Sequence, residues 1–223
     1  MSILSTARVL VVGVGGLGCP ASIVLARAGV GTIGLVDDDL VDVTNLHRQI
    51  LYREEDVGVS KTLAASRALT ALAPQVRIEA HETRFLPMNA VDLASRYDLV
   101  VECSDNFSTK FLAADAAHGA HRPVVHAAAV RWYGTALAVG SAGKPCYRCL
   151  FEDIPSDQVN SAEAGVIGPM VGVVAAAQAD LALSALLGKD VFGALFTFDA
   201  KTLFVRRRRI EPRSRCALCG ARA

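Results

Sequence analysis

Arg8-Val-Leu-Val-Val-Gly-Val-Gly-Gly-Leu-Gly18 decides the fold: an unbroken apolar run ends in closely spaced glycines, and Leu17 to Ala28 continues with helical spacing. A strand apolar at every position suits the centre of a parallel sheet covered on both faces. Glycines between such a strand and a helix permit a tight turn and let a phosphate approach backbone N–H groups at the helix N-terminus. A second strand, Thr32-Ile-Gly-Leu-Val36, runs into Asp37, 19 residues after Gly18, where a carboxylate can accept from ribose hydroxyls. Gly13, Gly15, Gly16, Gly18 and Asp37 therefore predict a nucleotide pocket that suits NAD and ATP alike.

Outward from this unit, strands are expected at Val76 to Ala80, Leu99 to Glu102, Val124 to Ala128 and Ala136 to Val139. Helices are expected between them at Lys61 to Leu72, Asn89 to Ser95 and Phe107 to His118. The alternation predicts a doubly wound, Rossmann-like α/β sheet. Glu152 to Ala164 is polar, acidic and aperiodic, the composition of a mobile surface loop. Pro169 sits where the next helix starts and a missing N–H is harmless, and Leu195 to Asp199 with Leu203 to Arg207 reads as a closing hairpin.

With 223 residues, 52% hydrophobic and 20% charged, the chain has material for one well-buried domain, 1–223. Its 23 basic and 22 acidic residues leave a net charge of +1, so no global field draws it to nucleic acid or an anionic membrane. Val166 to Leu187 barely reaches spanning length and contains Gln178 and Asp180, which makes it a core helix. Met1 to Val12 lacks the apolar region and cleavage site of a secretory signal, so the expected compartment is the cytoplasm.

Six cysteines in such a chain argue for metal or catalytic thiols over a disulfide framework. Cys146-Tyr-Arg-Cys149 and Cys216-Ala-Leu-Cys219 are two CxxC pairs whose inner cysteines stand 67 positions apart. Each pair offers two soft ligands from one tight turn, and four thiolates complete a closed tetrahedral shell, so a structural Zn²⁺ knot is expected. The alternatives are unligated reduced turns or redox activity, the latter disfavoured because neither pair is expected to open a helix after a strand.

Beyond Asp39 lie Asn45-Leu-His-Arg-Gln49 and Lys61, and Cys103-Ser-Asp-Asn106 ends a strand at the carboxyl edge of the sheet. Phosphate chemistry needs several cations, whereas a dehydrogenase needs one at most, so Arg48 and Lys61 weigh against a nicotinamide cofactor. Asp105 is placed to hold Mg²⁺.

On these residues, together with Ala162-Glu-Ala-Gly-Val-Ile-Gly-Pro169 and Gln178, the chain from Arg8 to Cys219 resembles the ThiF/MoeB/HesA family, bacterial relatives of the ubiquitin-activating enzymes. The resemblance implies that Asp37 binds the ATP ribose, that Asn45, Arg48 and Lys61 contact the phosphates, and that Asp105 coordinates magnesium. It places Asp39, Gln49 and Asn106 at the nucleotide as well. It implies an ATP-dependent adenylyltransferase that activates the C-terminal Gly-Gly carboxylate of a ubiquitin-like sulfur-carrier protein, acts as a homodimer and passes its product to a sulfur donor. A peptide or small carboxylate is the variant substrate; an inactive nucleotide-binding scaffold and an NAD-dependent oxidoreductase are the rival functions. The chemistry agrees, because a carboxylate is ionised at neutral pH and needs no general base, only groups that offset phosphate charge.

Two departures accompany the resemblance. Many relatives carry a cysteine where this chain has Ser161, and a hydroxyl with no base nearby predicts an acyl-adenylate product without an enzyme thioester. Family members usually open with a helix whose arginine reaches the neighbouring subunit's ATP, whereas seven residues precede Arg8 here. Cys19 and Cys103 are expected to pack in the core, His126 to be a satisfied core histidine, and Arg206 to Arg209 to be solvated with two side chains on each strand face. Trp132 and Tyr133 are expected at a turn between strands.

Overall fold

The computed structural model describes residues 2–143, 145–154 and 165–220. A four-residue helix, α1 (Ile3–Thr6), precedes β1 (Arg8–Val12). The chain continues through α2 (Gly18–Arg27), β2 (Thr32–Val36), α3 (Lys61–Leu72), β3 (Arg77–His81), α4 (Ala90–Ser95), β4 (Leu99–Glu102), α5 (Phe107–Gly119) and β5 (Val124–Val130). It closes with β6 (Tyr133–Val139), α6 (Tyr147–Leu150), α7 (Gly168–Leu186), β7 (Ala194–Asp199) and β8 (Phe204–Arg209). Among the described residues the strands form one eight-stranded sheet of order β3-β2-β1-β4-β5-β6-β7-β8. The first five run parallel and the last three join antiparallel.

The strand order reverses between β1 and β4, and the register makes that reversal a site. Val12 pairs with both Val36 and Glu102, so β1, β2 and β4 end level with one another. Gly13, Asp37 and Cys103 thus leave the sheet side by side at its carboxyl edge, where open α/β sheets collect ligands. β1 and β2 are buried almost throughout because helices cover both faces. One core layer holds α2, α3 and α7; the other holds α4, α5 and the paired cysteines.

α7 is long and apolar enough to cross a membrane, yet it packs as a core helix. Val174, Ala175 and Ala179 are fully buried, and the wholly buried Gln178 donates through Nε2 to the carbonyls of Glu102 (2.7 Å) and Val125 (2.9 Å). Gly134 on β6 lets α7 sit close, since a Cβ there would fall 2.1 Å from a Val174 methyl.

The Trp132–Tyr133 region is a hairpin corner, but β5 and β6 run further than expected. Arg131 takes φ +53°, which reverses the chain between Val130 and Tyr133. The closing hairpin extends to Arg209, and Arg206 to Arg209 are all exposed. Arg207 lies over the Phe196 ring and Arg209 pairs with Asp190 at 2.8 Å. Of the expected loop 152–164, only Glu152 to Ile154 fall within the described residues, and Glu152 pairs with Arg213. Ser161 and the Ala162 to Ala164 motif lie outside them.

Candidate nucleotide-binding cleft

Gly13 leaves β1 with φ +87°, and a Cβ on it would lie 3.2 Å from the backbone of Cys103 and Ser104. Only glycine lets the first loop pass so close to the end of β4. Gly18 serves differently: a Cβ there would fall 2.0 Å from the Gly13 carbonyl oxygen, so it permits the turn itself. α2 starts without a side-chain cap, but the Cys19 N–H already reaches the Gly15 carbonyl at 2.9 Å, the Ala21 N–H reaches the Leu17 carbonyl at 3.1 Å, and Pro20 has no N–H. The Gly18 N–H is therefore the one its first turn offers a ligand among the described residues.

Asp37 braces this loop from the neighbouring strand. Its Oδ2 accepts from the Val14 N–H at 2.7 Å and its Oδ1 from the Asp39 N–H at 2.9 Å. Burial pushes its carboxyl above the ordinary value, while Lys61 and the two amides work against that rise. Tyr52 donates to the Val14 carbonyl at 2.6 Å and lies 3.2 Å from the Lys61 carbonyl, linking the glycine loop to the start of α3.

The result is a cleft of about 450 Å³. Gly13, Gly15, Gly16, Asp37, Asp39, Arg48, Gln49 and Lys61 line one side, and Ser104, Asp105 and Asn106 line the other. Lys61 is 6% exposed, with Nζ 2.7 Å from Asp39 Oδ2. Arg48 is steered by its neighbours, its Nη2 donating to Asn45 Oδ1 and its Nη1 lying 3.4 Å from His47 Nε2. Gln49 is buried with Oε1 unpartnered among the described residues, its amide nitrogen facing Gly15. The exposed Asp105 carboxylate has no hydrogen-bond or ion-pair partner among the described residues.

Three expected nucleotide residues have other placements. Gly18 lies beneath the loop and does not line the cleft. Asn45 stands behind Arg48. Asn106 does line it, but its Oδ1 accepts from the Thr109 N–H at 2.8 Å and caps α5.

The cleft also contains Arg84, Phe85, Lys110 and the end of β5 from Ala128 to Val130, which the motif pattern did not single out. Arg84 and Phe85 follow β3 in an irregular segment with no signature. Lys110 had a usable signal, a lysine on the otherwise apolar buried face of α5. It pairs at 2.8 Å with Glu102, which is fully buried. Burial disfavours the Glu102 carboxylate, but Lys110 and His126 outweigh it and hold it down to about 2.

The remaining thiols divide by environment. Cys19 is buried and its thiol is pushed up to about 12; Cys103 is likewise pushed up by burial, with Sγ 3.2 Å from Gln178 Oε1. Both pack as core residues. His126 is buried with Nδ1 3.3 Å from Glu102, but Nε2 has no partner among the described residues, so it is half satisfied there.

The four other cysteines gather at one point. Cys146 Sγ lies 3.9 Å from Cys149 Sγ and 3.4 Å from Cys216 Sγ, and Cys149 Sγ lies 3.5 Å from Cys219 Sγ. A tetrahedral shell with metal–sulfur bonds of about 2.3 Å has edges of about 3.8 Å, whereas a disulfide needs about 2.05 Å. The donor set and its spacing therefore fit a closed thiolate metal site. One expectation is corrected: Cys146 does open a helix, as the N-cap of α6. This single turn folds Cys149 back so that its N–H reaches the Cys146 carbonyl at 3.0 Å, bringing both sulfurs to one side. A bidentate pair from Arg148 to Asp115 fastens it to α5.

A doubly wound sheet with a glycine loop, a carboxylate at the end of β2 and two cations at its switch point has the form of a nucleotide-binding α/β protein. Residues 1–219 match the sequence profile of the ThiF family, and the chain belongs to that family. It is 43% identical over 227 residues to the sulfur carrier protein adenylyltransferase of Thermus thermophilus, covering 97% of this chain and 83% of that protein. It is also 43% identical over 224 residues to the adenylyltransferase and sulfurtransferase MOCS3 of Sus scrofa, covering 98% of this chain and 49% of that one. The chain thus spans about half the length of MOCS3. The fold matches the crystal structure of E. coli MccB with MccA at a TM-score of 0.88 and 21% identity, over 98% of this chain and 68% of the other.

Proposed function

We propose that this chain is an ATP-dependent adenylyltransferase whose substrate is the C-terminal Gly-Gly carboxylate of a small ubiquitin-like sulfur-carrier protein. The observation that carries it is the convergence of Arg48 and Lys61 on one side of the cleft with Asp105 on the other, across the glycine loop. The carboxylate oxygen attacks the α-phosphorus of ATP, the bond to the bridging oxygen breaks, and pyrophosphate leaves with the electron pair. The loop amides, with the Gly18 N–H at the start of α2, hold phosphate oxygens, and Asp37 accepts from the ribose. Arg48, steered by Asn45, and Lys61 offset the charge that two anions bring together. Asp105 would hold the magnesium that accompanies ATP, which supplies further charge neutralisation on the phosphates.

The acyl-adenylate is the product in this reading, since Ser161 stands where many relatives carry a cysteine and burial keeps Cys19 and Cys103 protonated. A separate sulfur donor then attacks it. Cys146, Cys149, Cys216 and Cys219 would hold a structural Zn²⁺, and six cysteines without a disulfide suit the cytoplasm. A homodimer is part of the reading, with the exposed line Val173, Ala176 and Asp180 of α7 as the surface offered to a second copy.

The test is exchange of labelled pyrophosphate into ATP by the purified chain with a Gly-Gly-terminated carrier, with mass spectrometry of the carrier. A carrier heavier by one AMP is the expected product. ATP binding with no exchange across a panel of such carriers would leave a nucleotide-binding scaffold in its place.

A further inference from the structure

Beneath the loop that carries Asp105 lies a buried ion pair that no step of the proposed reaction uses. Glu102 ends β4, and its two carboxylate oxygens divide their partners. Oε1 accepts from the Ser104 N–H at 2.7 Å and from the Ser104 hydroxyl. Oε2 accepts from Lys110 Nζ at 2.8 Å and faces His126 Nδ1 at 3.3 Å. Lys110, 4% exposed, also donates to the carbonyls of Ser104 at 2.7 Å and Ala127 at 2.6 Å, which places all three of its ammonium protons. From the α7 side, Gln178 fixes the Glu102 carbonyl.

A lysine and a glutamate this deeply buried are rare, and an apolar pair of similar volume gives a core equal or greater stability. What the charged pair supplies, and an apolar pair lacks, is a grip on Ser104 at its N–H, its hydroxyl and its carbonyl. The next residue is Asp105, whose own side chain has no partner among the described residues. Its position at the cleft wall is therefore set through its backbone, held on the Asn106 side by the cap of α5 and on the Ser104 side by Glu102 and Lys110.

We infer that Glu102 and Lys110 are positioning residues that hold Asp105 in place before nucleotide and magnesium arrive. The inference rests on the adenylation reading for what Asp105 does. Such preorganisation matters because a charged group that must be ordered at the moment of use contributes less to binding and catalysis.

The test compares the full chain with the double variant Glu102→Gln/Lys110→Met, which removes both charges and leaves no orphaned ion, and with Lys110→Arg. Thermal melting establishes that each is folded. In the double variant, hydrogen exchange measured without nucleotide or metal should accelerate in residues 103–107 and stay unchanged in β1 and β2. The magnesium concentration giving half-maximal ATP binding should rise about tenfold, as for losses of groups that orient metal ligands. ATP binding should fall more with magnesium present than without it, and Lys110→Arg should restore the parent's magnesium requirement. A folded double variant with unchanged exchange at 103–107 and an unchanged magnesium requirement overturns the inference. So does a uniform loosening of the whole domain. Exchange at 103–107 needs no ligand, so it tests the grip on Ser104 separately from the adenylation reading, which parent ATP binding checks.

Discussion

Lys61 Nζ lies 2.7 Å from Asp39 Oδ2, joining the first residue of α3 to the loop that follows β2. The two ends of the pair differ in environment: the lysine side chain is 8% exposed and the aspartate 67%. The cation is held at the cleft while the acid faces solvent, so an arriving phosphate competes only with a well-hydrated carboxylate for Lys61.

Lys61→Ala should therefore cut carrier-dependent pyrophosphate exchange by about a hundredfold, in line with roughly 3 kcal/mol for a preorganised charge-stabilising group. Stability should fall as well, by about 1 to 3 kcal/mol, because Lys61 is buried and its charge offsets the burial of Asp37, although Asp39 itself is already solvated. Exchange kinetics and urea denaturation on the same preparation check this. Exchange within about threefold of the parent rate would remove Lys61 from the transition state.

Asp105→Ala should be as damaging to exchange and gentler on the fold. Its carboxylate is exposed and without a partner, so unfolding should move by less than about 0.5 kcal/mol. A variant that melts like the parent and still exchanges at the parent rate would show that magnesium is held elsewhere, the carboxylates of Asp37, Asp38 and Asp39 being the other acidic group of the cleft.

Most of this layout was legible in the chain itself. Arg8–Val12, Thr32–Val36, Lys61–Leu72 and Leu99–Glu102 lie where hydrophobic pattern put them, because each is a buried element bounded by glycine, aspartate or serine. The misreadings arise where tertiary contact overrides local signal. A turn is expected at Trp132 and Tyr133, but Arg131 carries no turn chemistry, so the tightness of the corner it makes at φ +53° does not show and β5 and β6 look short. Gly18 is also demanded by contact with the Gly13 carbonyl, which the motif pattern does not show. Arg84 reaches the cleft from a segment without periodicity, and Lys110 shows its purpose only once β4 and β5 bring Glu102 and Ala127 to it.

The four-cysteine cluster predicts one equivalent of zinc per chain by elemental analysis of protein purified without chelator. Cys216→Ser breaks the contact 3.4 Å from Cys146 and should lower the thermal midpoint by about 5 °C or more, equivalent to about 2 kcal/mol at this chain length. Hydrogen exchange should rise first around Cys146 to Leu150 and Arg213 to Cys219, since Arg213 meets this cluster through its N–H, 3.5 Å from Cys149 Sγ. Metal-free protein that melts at the parent temperature would leave the cluster as four packed thiols.

Acid should weaken the fold through Glu102. In the folded chain its carboxyl is held down to about 2 against an ordinary 4.5, burial opposing and Lys110 and His126 prevailing. Between these values the unfolded chain binds a proton that the folded chain does not, so falling pH favours unfolding. The contribution is complete above pH 4.5, has lost roughly 1 kcal/mol by pH 3.5, and disappears as pH passes through the folded value. His126 acts in the same sense from higher pH, because burial, opposed by Glu102, depresses it below its ordinary 6.5. Urea midpoints at pH 7, 5 and 3.5 should therefore fall more steeply for the parent chain than for Glu102→Gln/Lys110→Met, whose residue 102 cannot ionise. Parallel pH profiles for the two proteins would mean that folding leaves the proton affinity of Glu102 unchanged, and that Lys110 and His126 do not hold its carboxyl down.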